Sequence, residues 1–186
     1  MIRVTELDQA LRSTQDVLAK VEPGHLDAAT PCASWNVGEL INHFIGTTRW
    51  WAAMVTGDGS GADADYASGD YVAAYEDAIG VVVAAFDADG VLGRSVRLPF
   101  GEFPATVVLG MAATEGFTHG WDLARAIGYP ADLDPGLAAE LLGQARLVIT
   151  GAYRGPDGQA PFGPAAQAPA GAGPADQLAA FLGRAV

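Results

Sequence analysis

Apolar residues recur at helical spacing along most of the chain. Leu7, Leu11, Thr14, Leu18 and Val21 follow one another at intervals of three and four, which predicts one buried face of a first helix. Thr5 with Asp8 is expected to open it, and Pro23-Gly24 to end it. A loop from His25 to Trp35, broken at Pro31, leads to a second helix. Asn36 caps that helix with Glu39 three residues later, the pattern of a capping box. Leu40, Phe44, Thr47 and Trp51 mark its inner face; Val37, Ile41, Ile45 and Thr48 widen it, and Gly57 closes it. Residues 57–69, rich in Gly, Asp and Ala and without period, read as a surface loop. Tyr71, Tyr75, Ile79, Val82, Val83 and Phe86 predict a third helix. Val96-Arg97-Leu98-Pro99 reads as an extended connection, too short and proline-bound for a strand. Pro104 suits the first turn of a long fourth helix ending near Ile127, with Gly128 as its stop. Asp134-Pro135 opens a fifth helix through Leu141, Ala145, Val148 and Ala152. Residues 155–173 form an irregular strap, and Pro174 to Leu182 a last helix that must bury Leu178, Phe181 and Leu182. The expectation is an all-α protein of one domain, residues 1–186: a helical-bundle core to about residue 153, then a strap and short helix over 154–186.

Charge narrows the partners. The 186 residues carry a formal net charge of -12, with a single lysine, Lys20. That argues against nucleic acid and anionic membranes, which need a basic footprint. One cysteine, Cys32, excludes a disulfide framework and a thiolate zinc cluster; its plain reading is a small packed side chain. The charged N-terminal stretch resembles no secretory signal, and no apolar run reaches membrane-spanning length. A cytoplasmic, bacterial protein is expected, monomeric or homodimeric.

The chemistry gathers around the three histidines. Glu115 and His119 are four residues apart in the fourth helix, hence on one face and one turn apart. His43 lies in the second helix beside Leu40 and Thr47, where its ring can face a helix seam. Together they offer two nitrogens and a carboxylate, a set that suits zinc and also nickel, iron, manganese or cobalt, with positions left open for water or substrate. Asp122 is better placed as a partner of His119 than as a fourth ligand. The same residues also fit a packed core histidine, a solvated Glu115 and a surface pair Asp122–Arg125. His25 reads as a loop residue, and Trp50, Trp51 and Trp121 as core. Residues 57–62 superficially match a G-x-G-x-x-A fingerprint. They follow a helix rather than a strand, beside acidic residues that would repel a pyrophosphate, so they read as loop.

Two motifs carry a resemblance. Thr30-Pro31-Cys32-Ala33-Ser34-Trp35-Asn36-Val37, leading into Leu40-Ile41-Asn42-His43-Phe44, resembles the opening signature of the metal-binding domain of mycothiol-dependent maleylpyruvate isomerase and its relatives. Glu115 to Gly128 resembles that group's second signature, E-x-x-x-H-x-W-D-x-A-x-A-x-G, and Gln177 to Arg184 resembles the closing helix of a short, stand-alone branch. The group belongs to the DinB/YfiT-like superfamily. The resemblance therefore implies a four-helix bundle with His43, Glu115 and His119 as ligands of a divalent metal, usually zinc. It implies activation of a low-molecular-weight thiol, such as mycothiol or bacillithiol, or of a water. The chain is too short to include the isomerase's additional C-terminal domain, so a thiol transferase is expected before maleylpyruvate isomerisation. A metal-dependent hydrolase, or a non-enzymatic protein that sequesters a small ligand, stands as the alternative. Arg49, Arg125 or the N-terminal half of the fourth helix would orient an acidic co-substrate.

Overall fold

The computed structural model describes residues 2–58, 64–155, 160 and 162–186. Four helices form the body: α1 (Val4–Leu18), α2 (Val37–Thr56), α3 (Tyr71–Asp87) and α4 (Ala105–Ile127). Helix α1 packs on α4 and α3, and α2 packs on α3 and α4, so the four close a ring around a common core. The core contains Leu7, Leu11, Leu18, Leu40, Ile41, Phe44, Tyr75, Ile79, Val82 and Phe117, the positions that carry the helical period. The fold is mostly α. The stretch of residues 57–62 that matches the dinucleotide fingerprint lies outside the described residues from Gly59 onward.

Local chemistry explains the helix ends. The Asn36 side chain accepts from the Glu39 N–H while the Glu39 carboxylate accepts from the Asn36 N–H, closing the expected capping box. Gly57 and Gly128 end α2 and α4 at φ of +85° and +71°, conformations that side-chain-bearing residues rarely adopt. At α1 the expectation is corrected. Arg3, not Thr5, is the cap, with Glu6 folding back onto the Arg3 N–H. Helix α5 (Pro135–Val148) starts at the Asp134 cap as expected but stops four residues short of Ala152, giving way to a 3₁₀ turn over Gly151–Tyr153.

The segment before α4 is the second correction. Strands β1 (Ser95–Leu98) and β2 (Gly101–Pro104) pair antiparallel, with Leu98 opposite Gly101 across a two-residue turn. Val96 and Leu98 alternate inward, and this buried pair, with Gly101 at φ +148°, makes a hairpin of what read as a bare connection. Helix α5 packs on α4 and on α6 (Pro174–Phe181). Trp121 of α4 donates its indole N–H to Asp176 of α6 (2.9 Å), which ties the C-terminal helix to the bundle. No helix among the described residues is long and apolar enough to cross a membrane.

Two glycines set the spacing between α1 and α4. The Thr14 hydroxyl donates to the Gly116 carbonyl at 2.8 Å. A Cβ on Gly120 would sit 2.2 Å from Thr14 Oγ1 and 3.1 Å from the Thr14 backbone; one on Gly116 would sit 2.4 Å from Leu11. Gly120→Ala therefore forces two helices apart and is expected to cost about 1–3 kcal/mol. Gly46→Ala in α2, where a Cβ meets nothing within 4 Å, is the control; it should be neutral or gain about 0.5–1 kcal/mol from helix propensity. Urea denaturation of both variants checks this, and equal stabilities would refute the packing argument.

Candidate metal centre

Helices α2 and α4 bring His43, Glu115 and His119 together. Glu115 Oε1 lies 3.4 Å from His43 Nε2 and 3.9 Å from His119 Nε2. One donor atom from each of the three residues falls within 4.8 Å of the other two. The two imidazoles meet edge-on, with ring centroids 4.9 Å apart. Glu115 and His119 each have their other polar atom held elsewhere. The Trp51 indole N–H donates to Glu115 Oε2, leaving Oε1 toward the histidines. His119 Nδ1 lies 3.1 Å from Asp122 Oδ2, leaving Nε2 toward Glu115. Two imidazole nitrogens and a carboxylate oxygen fit a first-row divalent ion by donor type, and the Glu115 and His119 donors are backed by outer hydrogen bonds. Burial tends to raise the Glu115 pKa, but the hydrogen bond from His43 and the charge of His119 outweigh it and hold the carboxyl below its ordinary value.

Asp122 is the centre of a second cluster, not a surface partner of Arg125. It is fully buried. Arg184 reaches it with two nitrogens, Nε to Oδ1 (3.2 Å) and Nη2 to Oδ2 (2.9 Å), and the Cys32 thiol lies 3.2 Å from Oδ2. Burial works against its charge, but the His119 hydrogen bond and the Arg184 guanidinium hold its pKa far below the usual carboxylate range. For Cys32 the same surroundings act in the opposite direction. Burial and the Asp122 charge push its thiol up to about 12, against a weaker pull from Arg184.

The loop between the first two helices is built to present Cys32 and Trp35. The Thr30 hydroxyl accepts from the Cys32 N–H (3.1 Å) and donates to the Trp35 carbonyl (2.8 Å), folding residues 30–35 back on themselves. The Trp35 ring then lies over His43, centroids 4.1 Å apart. This is the physical content of the first motif: a turn that stacks an indole on a candidate ligand one helical turn inside α2.

The triad opens on a cavity of about 750 Å³, within the range of small-molecule sites. Trp51, buried in the core as expected, is also a wall of that cavity, and Arg184 and Cys32 line it as well. Neither arginine proposed as an orienting group reaches it: Arg49 pairs with Asp77 (2.6 Å), and Arg125 lies over the Trp121 ring. The N-terminal half of α4 does line it, through Val107, Gly110 and Met111. His25 accepts from the Glu22 N–H in its own turn and takes no part. Arg184 is the residue that sequence reasoning missed. Its signal was a lone cation three residues beyond the last helix.

Two expectations follow. Asp122→Asn leaves Arg184 buried without its charge partner and should cost about 3–5 kcal/mol at neutral pH. The Asp122 pKa is depressed in the folded state. The stability it contributes is therefore present above the unfolded carboxylate value of 3.8 and lost as pH falls through and below it. Urea titrations across that range should show the acid-side loss shrink in the Asn variant. Separately, Cys32 alkylation by iodoacetamide at pH 8 should run roughly two to three orders of magnitude slower than that of a free cysteine, because so little thiolate is present. Ordinary thiol reactivity would contradict the geometry around Cys32.

The model of the mycothiol maleylpyruvate isomerase N-terminal domain matches residues 7–124, which include all three candidate ligands and Asp122. Two proteins from different strains of Mycobacterium tuberculosis, both described only as uncharacterized, are each 39% identical over 173 residues, covering 91% of this chain and 91% of their own length. No solved structure matches the chain. The motif that stacks Trp35 on His43 and the helix that pairs Glu115 with His119 lie inside the matched segment, and the chain belongs to the mycothiol maleylpyruvate isomerase N-terminal domain family.

Proposed function

We propose that His43, Glu115 and His119 hold a divalent metal, zinc by donor type, and that the protein uses it to activate a low-molecular-weight thiol such as mycothiol for transfer to a small electrophile. The observation that carries this reading is the convergence of three supported donor atoms on the mouth of one cavity. When bound, the ion would supply Lewis acidity and lower the pKa of a coordinated thiol.

The chain's own residues supply the rest. Asp122 keeps the proton of His119 on Nδ1, so that Nε2 presents its lone pair toward the other ligands. Trp51 orients the Glu115 carboxylate, and Trp35 holds the His43 ring by stacking. Cys32 lines the cavity but stays protonated, so it makes a poor nucleophile and the reacting sulfur belongs to the ligand. A thiol co-substrate must be kept reduced, which places the protein in the cytoplasm.

Elemental analysis of purified protein, followed by incubation with mycothiol and monochlorobimane, tests the reading. About one metal ion per chain is expected, bound at least about a hundredfold more weakly by His119→Ala and about ten- to a hundredfold more weakly by Asp122→Asn. Affinity should fall on acidification, since imidazole ligands must be neutral. The mycothiol adduct should form only with metal present. An adduct rate unchanged by metal removal would sink the proposal, and ester hydrolysis without thiol transfer would point to the hydrolase instead.

A further inference from the structure

The cavity's walls say more about its ligand than the metal does. Val107, Met111 and Glu115 step along one face of α4 at intervals of four, so the wall extends two turns, roughly 12 Å, from the candidate ligand. Val148 and Ile149, from the end of α5, and Phe100, from the hairpin turn, continue it. All five of these wall residues beyond Glu115 are apolar, and none is fully buried by the protein itself. They are therefore surface that a ligand can still cover.

Charge is confined to the other end. Among the described lining residues, Glu115 is the only carboxylate and Arg184 the only arginine or lysine. That guanidinium is already committed, by two bonds to Asp122 and one from Nη1 to the Leu182 carbonyl. The nearby Arg154 donates Nη1 to the Gly163 carbonyl and lies over the Phe181 ring; its Nη2 has no hydrogen-bond partner among the described residues, but the residue does not line the cavity. A dianionic ligand would thus place its second carboxylate against apolar walls with no cation but Arg184 among the described lining residues, in a chain of net charge -12. On α5 itself the one polar lining residue is Gln144, whose amide sits against Gly110 and can pair with a hydroxyl or amide.

We infer that this site takes, alongside the thiol, a co-substrate with one polar, metal-seeking head and an uncharged apolar tail of about six to eight carbons, and that it discriminates against dicarboxylates. The inference rests on the metal reading for the head group only; the tail rests on the walls.

The test uses thiols that share a head and differ in tail. Metal content is measured first. Binding of ethanethiol, butanethiol and hexanethiol is then compared with that of mercaptosuccinate, read by Trp35 and Trp51 fluorescence and, in cobalt-substituted protein, by the sulfur-to-cobalt absorption band. Affinity should rise about threefold to fourfold per added methylene. Mercaptosuccinate should bind at least tenfold more weakly than hexanethiol. A series flat in chain length, or mercaptosuccinate binding as tightly as hexanethiol, overturns the inference. Failure to bind any metal defeats the functional reading alone. The 1-alkanols from ethanol to octanol then test the walls in the metal-free protein, and their affinity must also rise with length for the inference to stand. Val148→Arg should abolish the length dependence and leave metal content unchanged; Val107→Arg serves the same purpose if the first variant does not fold. An unchanged series in a folded variant counts against the assigned wall.

Discussion

The site depends on one buried carboxylate. Asp122 has no exposure to solvent, and a carboxylate in that position is tolerated only when its charge is matched. Its partners come from three separate regions of the chain: His119 one turn earlier on α4, Cys32 from the loop before α2, and Arg184 from the extreme C-terminus. Satisfying Asp122 therefore draws the first-motif loop and the last residues of the chain onto α4 around a common point. It also orients His119. The same interaction that makes the C-terminal segment part of the fold is the one that aims a candidate ligand.

The frame that carries Asp122 is held close by small residues. Gly116 and Gly120 lie on the α1 side of α4 and let α1 approach to hydrogen-bonding distance. Glu115 and His119, each the immediate neighbour of one of these glycines, are thereby fixed in depth relative to α2 and His43. At the other end of the site Gly183, at φ +95° and with the Gly163 backbone 3.0 Å from where its Cβ would be, lets the chain turn Arg184 inward. Close backbone approach at two places sets the positions of both clusters.

The division of polarity in the cavity follows from this arrangement. Charged groups are gathered where α2, α4 and the C-terminus converge, and they neutralise one another there. Toward the N-terminal half of α4 the hairpin and the end of α5 contribute aliphatic and aromatic walls, with the uncharged Gln144 amide among them. A site built in this way favours a ligand with two unlike ends. Metal chemistry at the polar end and selection at the apolar end can be altered independently, because they rest on different elements.

Much of the architecture was legible in the chain because it is local. A period of 3.6 marks each helix, Asn36, Asp134, Gly57 and Gly128 mark ends, and a spacing of four puts Glu115 and His119 on one face without any knowledge of the fold. The hairpin at Ser95–Pro104 was not legible, since a four-residue strand is stabilised by its partner and by the helices beneath, not by its own pattern. Nor were the roles of Arg184 and Trp51, whose partners lie 62 and 64 positions away, although that of Asp122 as the partner of His119, three residues off, was. The sequence by itself determined which residues share a helical face and where α2 and α4 stop, because those follow from backbone geometry within one turn. Only the tertiary structure decided that His43 faces Glu115, that Arg184 rather than Arg125 neutralises Asp122, and that the cavity is apolar. Those depend on which faces meet, and contacts between distant segments leave no period in the chain.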